Sequence, residues 1–404
     1  MLKRIWERLK ADYTPKSVEI LRKGYSLSLF KRDCISGLTV SIVSLPLAMA
    51  LAIASGLTPA QGLYTAIVAG FVIALMGGSR FQIGGPTGAF AIVVLEVLHN
   101  YGYNGLIASM ILTGVLLMIA GFMKLGSYIK YIPYPVIIGF TAGIGLILIT
   151  SQMKDFLGLT RDDIPSDFLQ RWYTYIISLP QTNWAAAFIG FLSLALYLGI
   201  KKFTPKIPVY LAILVVTTIV TCIFNLPVET IGSKYGDLPK MLPAPEFPKM
   251  SLALFKLVFP SALTVAFLAA VESLLSAKVV DSMSGDVHNP NAELMGEGLA
   301  NIAAAAFFGL PATGAIARTA TNYKANAYSP VSGMMQSVFL LIFMFFLSPL
   351  VKYIPLSSLA LILIMIGWNM LNLDKMYGLI KLLPGDRYTL LVTVILTVVV
   401  NLSA

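Results

Sequence analysis

The sequence contains few charged residues and very little cysteine or histidine. Of its 404 residues, 12% are charged, about half the charged share of an average soluble domain. This composition excludes an ordinary soluble fold. The two cysteines, Cys34 and Cys222, lie in apolar stretches and exclude a disulfide framework, and with only two histidines a zinc site is not expected either. No nucleophile and base pair can be assembled from such a sequence, so we do not expect an enzyme.

Long apolar stretches, by contrast, recur along nearly the whole chain. A membrane-spanning helix needs roughly 17 to 25 predominantly apolar residues, and we therefore predict an all-α polytopic membrane protein. The segments 87–99 and 314–325 are too short to span alone, and both follow stretches rich in glycine and proline. The thirteen predicted segments lie near 34–55, 60–77, 87–99, 105–123, 132–152, 184–200, 208–226, 254–277, 293–309, 314–325, 331–349, 354–372 and 387–404.

The basic residues predict the orientation, because Lys and Arg concentrate in short cytoplasmic loops. Residues 1–33 carry nine of the 29 basic residues, which places this N-terminal segment in the cytoplasm. It lacks the apolar stretch of a signal peptide, and we expect a surface helix there. An inside start puts 21 of the 29 basic residues on the inner side. The net charge of +10 therefore reflects membrane topology and does not indicate nucleic-acid binding.

An internal repeat relates the two halves of the chain. The sequence Gly-Pro-Thr-Gly-Ala at 85–89 resembles Pro-Ala-Thr-Gly-Ala at 311–315, with 225 residues between their prolines. The same spacing aligns 37–41 with 262–266. Transporters often carry inverted repeats whose interrupted helices build the substrate site. The sequence therefore predicts such a repeat.

The repeat also predicts the boundaries of the parts. A second copy of equal length would extend past residue 404, so we expect a fourteenth span to be missing. The loops over 153–183 and 227–253 are long enough for short interfacial helices. The predicted parts are a cytoplasmic N-terminal segment over 1–33, a first transmembrane repeat over 34–226, an extracytoplasmic loop over 227–253 and an incomplete second repeat over 254–404.

The two short helices predict an anion site. A broken helix is tolerated in a bilayer only where it lines a cavity or is buried in protein. Helices starting near Thr87 and Thr313 would point free N–H groups and positive dipole ends at one gap. Arg318, one turn into the second helix, adds a positive charge unless its side chain snorkels to the membrane boundary. The alternative for the Gly-Pro pairs is a kink between packed helices.

Glu272 is the most informative ionisable residue, because it lies within the otherwise apolar stretch 265–277. A carboxyl group in such a span is costly and is functional by default. It could carry a proton, or coordinate Na⁺ together with neighbouring serines. The alternative is a structural pairing with Lys278 or Arg318.

Other residues of the apolar segments are expected to serve structure. Glu96 is expected at a solvated helix end. Glu293 and Glu297 are four residues apart at a helix start, where carboxylates favour the helix dipole. Three glycines have the small-residue spacing that permits close helix contact, at Gly139, Gly143 and Gly145.

At these residues the sequence resembles the SulP family of anion permeases, over about 30–404. Within that family it is most similar to the bacterial members that transport dicarboxylic acids with protons. The motifs that carry the resemblance are PLAMALA at 46–52, GLYTA at 62–66, GGSRF at 77–81, GPT at 85–87, VESLL at 271–275, NAEL at 291–294 and AIART at 315–319.

The resemblance implies a core and gate fold of seven plus seven inverted repeats, in which the core moves like an elevator. It places substrate between the third and tenth segments, beside Thr87, Gly88, Ala89, Ala315, Ile316, Ala317 and Arg318. Coupling is assigned to Glu272 and Ser276. Members of the family usually have a fourteenth span and a cytoplasmic STAS domain, neither of which we expect within these 404 residues, and a glutamine where Glu297 stands.

These features predict a secondary active anion transporter of the inner or plasma membrane, acting as a homodimer in the lipid bilayer. We expect proton-coupled uptake of succinate, fumarate or sulfate, with no cofactor besides the coupling ion. Sodium-coupled members of the family tend to have a hydroxyl residue in place of Ile316, so the isoleucine favours protons. A sodium-coupled bicarbonate or sulfate transporter and an uncoupled anion channel stay open as alternatives. A nucleobase symporter is a further alternative. It would require an acidic residue in the tenth segment, where this sequence has Arg318 instead.

Overall fold

A computed structural model describes residues 13–131, 133–161, 165, 168–204, 207–248, 250–381 and 384–399. The α-helices are α1 (Lys16–Arg22), α2 (Leu27–Ala54), α3 (Pro59–Met76), α4 (Ala91–Phe122), α5 (Tyr134–Leu157), α6 (Phe168–Ser178), α7 (Trp184–Phe203), α8 (Val209–Ile223), α9 (Ile231–Tyr235), α10 (Leu252–Ser284), α11 (Pro290–Ala306), α12 (Ile316–Lys324), α13 (Val331–Val351), α14 (Leu356–Leu371), α15 (Leu373–Ile380) and α16 (Pro384–Val399). Two short strands, β1 (Gly84–Pro86) and β2 (Ala312–Gly314), pair antiparallel.

Every predicted apolar segment overlaps a helix. Eight helical stretches of the described chain are long and apolar enough to cross a membrane by length and composition, and α8 is apolar but shorter. The chain is therefore a multi-pass membrane protein. Residues 1–12 of the predicted N-terminal segment lie outside the described residues, and α1 and the first residues of α2 occupy most of the remainder.

One prediction about the first break needs correction. The segments 87–99 and 105–123 are not separate helices, because a single turn of 3₁₀-helix over Gly88–Phe90 leads directly into α4. α4 then continues to Phe122 through a kink at Gly102, where φ is +66°. The chain is mostly helical, as predicted, and the two three-residue strands β1 and β2 precede the two interrupted helices.

Two compact units divide the described chain. The first unit draws its residues from 1–131 and 240–346, which combines parts of both predicted repeats. In this unit α11 packs against α3 and α4, and α10 packs against α4. A Cβ atom added at Gly114 of α4 would lie 2.5 Å from the carbonyl oxygen of Gly298 in α11, and the reverse distance is also 2.5 Å. The absence of side chains at both positions lets the two backbones touch.

The second unit draws its residues from 132–239 and 347–404. Here α5 packs against α14 and α16. A Cβ added at Gly145 would lie 2.6 Å from the carbonyl oxygen of Gly367, and one at Gly139 would lie 2.8 Å from that of Leu390. The predicted role of the α5 glycines in close helix contact is confirmed. The short helices expected in the two longer loops are present as α6 and α9.

Candidate functional site

The two helix breaks meet in the first unit as a two-stranded ladder. Gly84 pairs with Gly314, and Pro86 pairs with Ala312. The ladder satisfies backbone groups that the broken helices leave without partners, as burial in a membrane protein requires. Because the strands are antiparallel, the helical segments that follow them begin at opposite ends of the ladder.

The amide side chain of Asn301 in α11 holds the second strand. Its Nδ2 donates to the carbonyl oxygen of Ala312 at 2.8 Å, and its Oδ1 accepts from the N–H of Ala312 at 2.9 Å. The side chain thereby acts as a third strand for one residue. Asn301 is not among the residues predicted from the sequence, where its only signal is an amide within an alanine-rich helix.

Thr87 connects the first break to the acidic residue of α10. Its hydroxyl donates to Glu272 Oε1 at 2.7 Å and accepts from the N–H of Ala89 at 3.5 Å. Thr87 therefore caps the helical turn that contains Gly88 and Ala89. The other carboxylate oxygen of Glu272 is buried and has no hydrogen-bond partner among the described residues. The predicted residues Thr87, Gly88, Ala89 and Glu272 thus lie at one place.

Arg318 reaches across the ladder from α12 to β1. It is 3% exposed, and one terminal nitrogen donates to the carbonyl oxygen of Pro86. The other terminal nitrogen, Nη1, is buried without a hydrogen-bond partner in the described chain. Its charge interacts with that of Glu272. The alternative of an arginine that snorkels to the boundary is therefore wrong.

The repeat predicts that the second short helix starts near Thr313, but the structure places Thr313 before that helix. It lies in β2, and its hydroxyl donates to the carbonyl oxygen of Ala269 at 2.9 Å. α12 begins at Ile316, and no side chain caps it. Its first N–H groups, which include those of Ile316 and Ala317, are therefore not taken by a capping side chain. Both residues are exposed, whereas the N–H of Ala315 is bonded to the carbonyl of Ile83 at 2.9 Å.

Ser276 lies one turn from Glu272 on α10, but its hydroxyl is used elsewhere. It lies 3.1 Å from Gln82 Oε1 and 3.1 Å from Thr319 Oγ1. Gln82 Nε2 in turn donates to the hydroxyl of Ser273 at 3.0 Å. The structure therefore gives Ser276 the role of bracing Gln82, whereas the resemblance pairs Ser276 with Glu272. Gln82 is not among the residues predicted from the sequence. Its position as a polar residue just before the Gly-Gly-Pro break is the feature that could have identified it.

Glu293 stabilises the turn before β1. Its Oε2 accepts from the N–H groups of Gly78 and Ser79 at 2.8 and 2.9 Å, and its Oε1 accepts from Ser273 at 3.3 Å. The predicted structural role is therefore supported for Glu293, although its partners lie in a loop and not at its own helix start.

Taken together, the ladder presents a buried guanidinium with a free nitrogen, an uncapped helix N-terminus and a carboxyl group with a free oxygen. The first two features attract an anion. The third can hold a proton or a small cation.

Comparisons with known proteins concern the family and the fold. A model of the sulfate permease family matches residues 30–394. The chain is 42% identical over 381 residues to YvdB of Bacillus subtilis (strain 168), whose name assigns it provisionally to sulfate transport, covering 94% of this chain and 72% of that protein. It is 28% identical over 388 residues to the bicarbonate transporter BicA of a Picosynechococcus strain, covering 92% and 67%.

Solved structures show the same fold. The transmembrane domain of a cyanobacterial bicarbonate transporter BicA superposes with a TM-score of 0.82 at 25% identity, covering 94% of this chain and 97% of that one. The structure of SLC26A9 gives a TM-score of 0.87 at 20% identity, covering all of this chain and 67% of that one. The predicted inverted-repeat core and gate fold is confirmed. The named relatives refer to sulfate and bicarbonate, so the similarity to dicarboxylate transporters stays a prediction.

Proposed function

The chain belongs to the sulfate permease family, and from that premise we propose that it is a secondary active transporter that couples uptake of a divalent anion to protons. The observation that carries the proposal is the arrangement of Arg318, Thr87 and Glu272 around the ladder. We assign the transporter to the inner or plasma membrane, with a cytoplasmic N-terminus and a homodimeric assembly.

The anion site of this proposal lies at the start of α12. The free Nη1 of Arg318 and the uncapped N–H groups of Ile316 and Ala317 are donors to an oxyanion. Such donors suit a sulfate or a carboxylate, since each presents several acceptor oxygens. Sulfate and short dicarboxylates such as succinate and fumarate are therefore the proposed substrates.

The coupling site of this proposal is Glu272. Its unpartnered Oε2 is buried and lies on the same side chain that accepts from Thr87. A protonated Glu272 removes one negative charge next to the bound anion, which lowers the cost of moving the loaded site through lipid. In the elevator movement that the resemblance implies, proton and anion would then cross together.

Uptake into proteoliposomes tests the proposal. Labelled sulfate, succinate and fumarate are offered with an inward proton gradient, with an inward Na⁺ gradient, or with neither. We expect proton-driven accumulation of at least one of these anions, which Glu272→Gln abolishes. Glu96→Gln, a matched change on α4 at a residue outside the ladder, should leave accumulation intact.

Three other results would contradict the proposal in different ways. Accumulation driven by Na⁺ alone would assign Glu272 to cation binding. Anion flux that follows only its own gradient, and survives Glu272→Gln, would favour a channel. Bicarbonate uptake without uptake of the three offered anions would leave the fold and site correct and the substrate wrong.

A further inference from the structure

Glu297 is a buried carboxyl group that the proposed function does not use. It lies on α11 with no exposed surface. Neither of its carboxylate oxygens has a hydrogen-bond partner among the described residues. Glu293, one turn earlier on the same helix, is equally buried but accepts from three donors. Two carboxyl groups of the same helix therefore have opposite environments.

The hydroxyl groups next to Glu297 donate their hydrogen bonds to other acceptors. The hydroxyls of Thr313 and Ser273 lie beside it. Thr313 donates to the carbonyl oxygen of Ala269, and Ser273 donates to Glu293. Rotation about one side-chain bond would turn either hydroxyl toward Glu297, because a hydroxyl hydrogen has no fixed direction.

The charged groups around Glu297 do not compensate a negative charge on it. The two ionisable groups that interact with it are carboxyl groups, those of Glu293 on its own helix and of Glu272 on α10. Arg318 of α12 interacts with Glu272 and is not among the groups that act on Glu297. In the described arrangement an ionised Glu297 would be a buried, unpaired charge among like charges, which is costly unless a neighbouring donor turns toward it.

Glu297 is also connected to the ladder. Its backbone carbonyl accepts from Asn301 Nδ2 at 2.9 Å, and the same nitrogen donates to Ala312 of β2. Thr313, beside its carboxyl group, is the next residue of that strand. A negative charge on Glu297 would therefore lie next to β2. This strand leads into α12, whose first N–H groups are the proposed anion donors.

We propose that Glu297 is a second proton-carrying group of the transporter, whose protonation is coupled to binding of the anion. This inference rests on the proposed function and extends it, because that function assigns one coupling proton, to Glu272. When Glu297 is protonated, the ladder accepts the anion. When Glu297 loses its proton, Thr313 or Ser273 turns to donate to it, and its negative charge opposes the anion. By linkage, binding of the anion then draws one proton onto Glu297.

Counting protons during binding tests this inference. The full chain in lipid nanodiscs is titrated with sulfate in buffers of different ionisation enthalpy, which yields the number of protons taken up per sulfate bound. Succinate and fumarate are titrated in the same way. The titrations are repeated over a series of pH values. For the bound anion we expect the unmodified chain to take up as much as one proton more than Glu297→Gln, with the largest difference at the pH at which the anion-free chain has released that proton. The anion affinity of Glu297→Gln should also vary less steeply with pH than that of the unmodified chain. The difference in slope should approach one factor of ten per pH unit.

Matched variants separate this role from a structural one. Glu297→Asp keeps a titratable group and should restore the proton count, and Glu96→Gln should not change it. If Glu297→Gln does not fold, Glu297→Asp still provides a readout, because the exchange of one carboxylic acid for the other shifts the infrared carbonyl band of the protonated group at this position. That shifted band should grow when sulfate is added, and a band that does not respond overturns the inference.

The outcomes distinguish the two proposals. An unchanged proton count in Glu297→Gln overturns the role of Glu297 and leaves the proposed function intact. Absence of proton uptake by the unmodified chain on binding any of the three anions overturns proton coupling itself. Absence of any binding rejects both proposals together.

Discussion

The guanidinium of Arg318 packs so closely against Gly85 that no side chain fits at position 85. A Cβ atom at Gly85 would lie 2.5 Å from Nη1 of Arg318, and the φ of Gly85 is +150°. The guanidinium therefore lies against the backbone of β1, with its other nitrogen bonded to the carbonyl of Pro86. This contact joins the two helix breaks at the point where we place the anion.

We expect Gly85→Ala to reduce anion uptake about fivefold or more, because forcing an extra methyl group into a packed site costs about 1–3 kcal/mol. The added Cβ would displace Nη1, which is the nitrogen left for the anion. Uptake rates in proteoliposomes at equal protein content measure the effect. Gly199→Ala is the control, since nothing lies within 4 Å of a Cβ at that position, and equal losses in both variants would argue against the contact.

Arg318→Lys should weaken anion binding about 10- to 100-fold. Lysine keeps the charge but cannot bond Pro86 and present a second nitrogen at the same time. A hydrogen bond to a charged group is worth about 1.5–3 kcal/mol, which gives the expected range. Equilibrium binding of sulfate and succinate measures it. Arg22→Lys, at an exposed position of α1, should bind as the unmodified chain does.

Thr87→Val should lower proton-driven uptake about tenfold or more, whereas Thr87→Ser should retain most of it. Valine removes the hydroxyl that donates to Glu272 and caps Ala89, and serine keeps it. The expected size follows from the loss of a hydrogen bond to a charged group, about 1.5–3 kcal/mol. Initial uptake rates with and without a proton gradient provide the measurement. A serine variant as impaired as the valine variant would show that the methyl group matters and the hydroxyl does not.

Asn301→Ala should lower the stability of the first unit. It leaves the buried N–H and carbonyl of Ala312 without their side-chain partner, at a cost of about 1–3 kcal/mol for each unpaired group. The apparent Tm in detergent should fall by several degrees. Asn100→Ala, at an exposed position of α4, provides the matched control and should change the Tm little.

Gly145→Val should destabilise the second unit by about 1–3 kcal/mol through overpacking, because its side chain would collide with the carbonyl of Gly367. Thermal unfolding in detergent measures this as a reduced apparent Tm. Gly199→Val on α7 meets no neighbouring atom and should have at most a small effect. Similar losses in the two variants would mean that β-branching in a helix, and not the contact, is responsible.

Much of the fold could be read from local patterns. The apolar segments predicted the helices, because a helix in lipid must be long and apolar whatever packs against it. The Gly-Pro breaks, Glu272 and Arg318 were identified for a similar reason: a broken helix or an ionisable side chain within an apolar segment is costly unless something compensates it.

The hydrogen-bond and strand partners of the site residues could not be predicted from the sequence. Thr313 was expected at a helix start and lies in a strand, since the internal repeat aligns residues but does not fix how the two copies pair. Gln82 and Asn301 were passed over because a buried amide becomes informative only when its partners are known. Ser276 was assigned to coupling together with Glu272, yet the partners of its hydroxyl are Gln82 and Thr319.

The sequence by itself determined that this protein crosses a membrane many times, and where its helices are interrupted, because hydropathy and backbone-breaking residues act locally along the chain. Only the tertiary structure decided which buried carboxyl groups are satisfied. Glu293 and Glu297 are one turn apart in the same helix, but the loop at Gly78 and Ser79 donates to the first and no described residue donates to the second. That difference depends on segments more than two hundred residues away, whose N–H groups are brought to α11 only by folding.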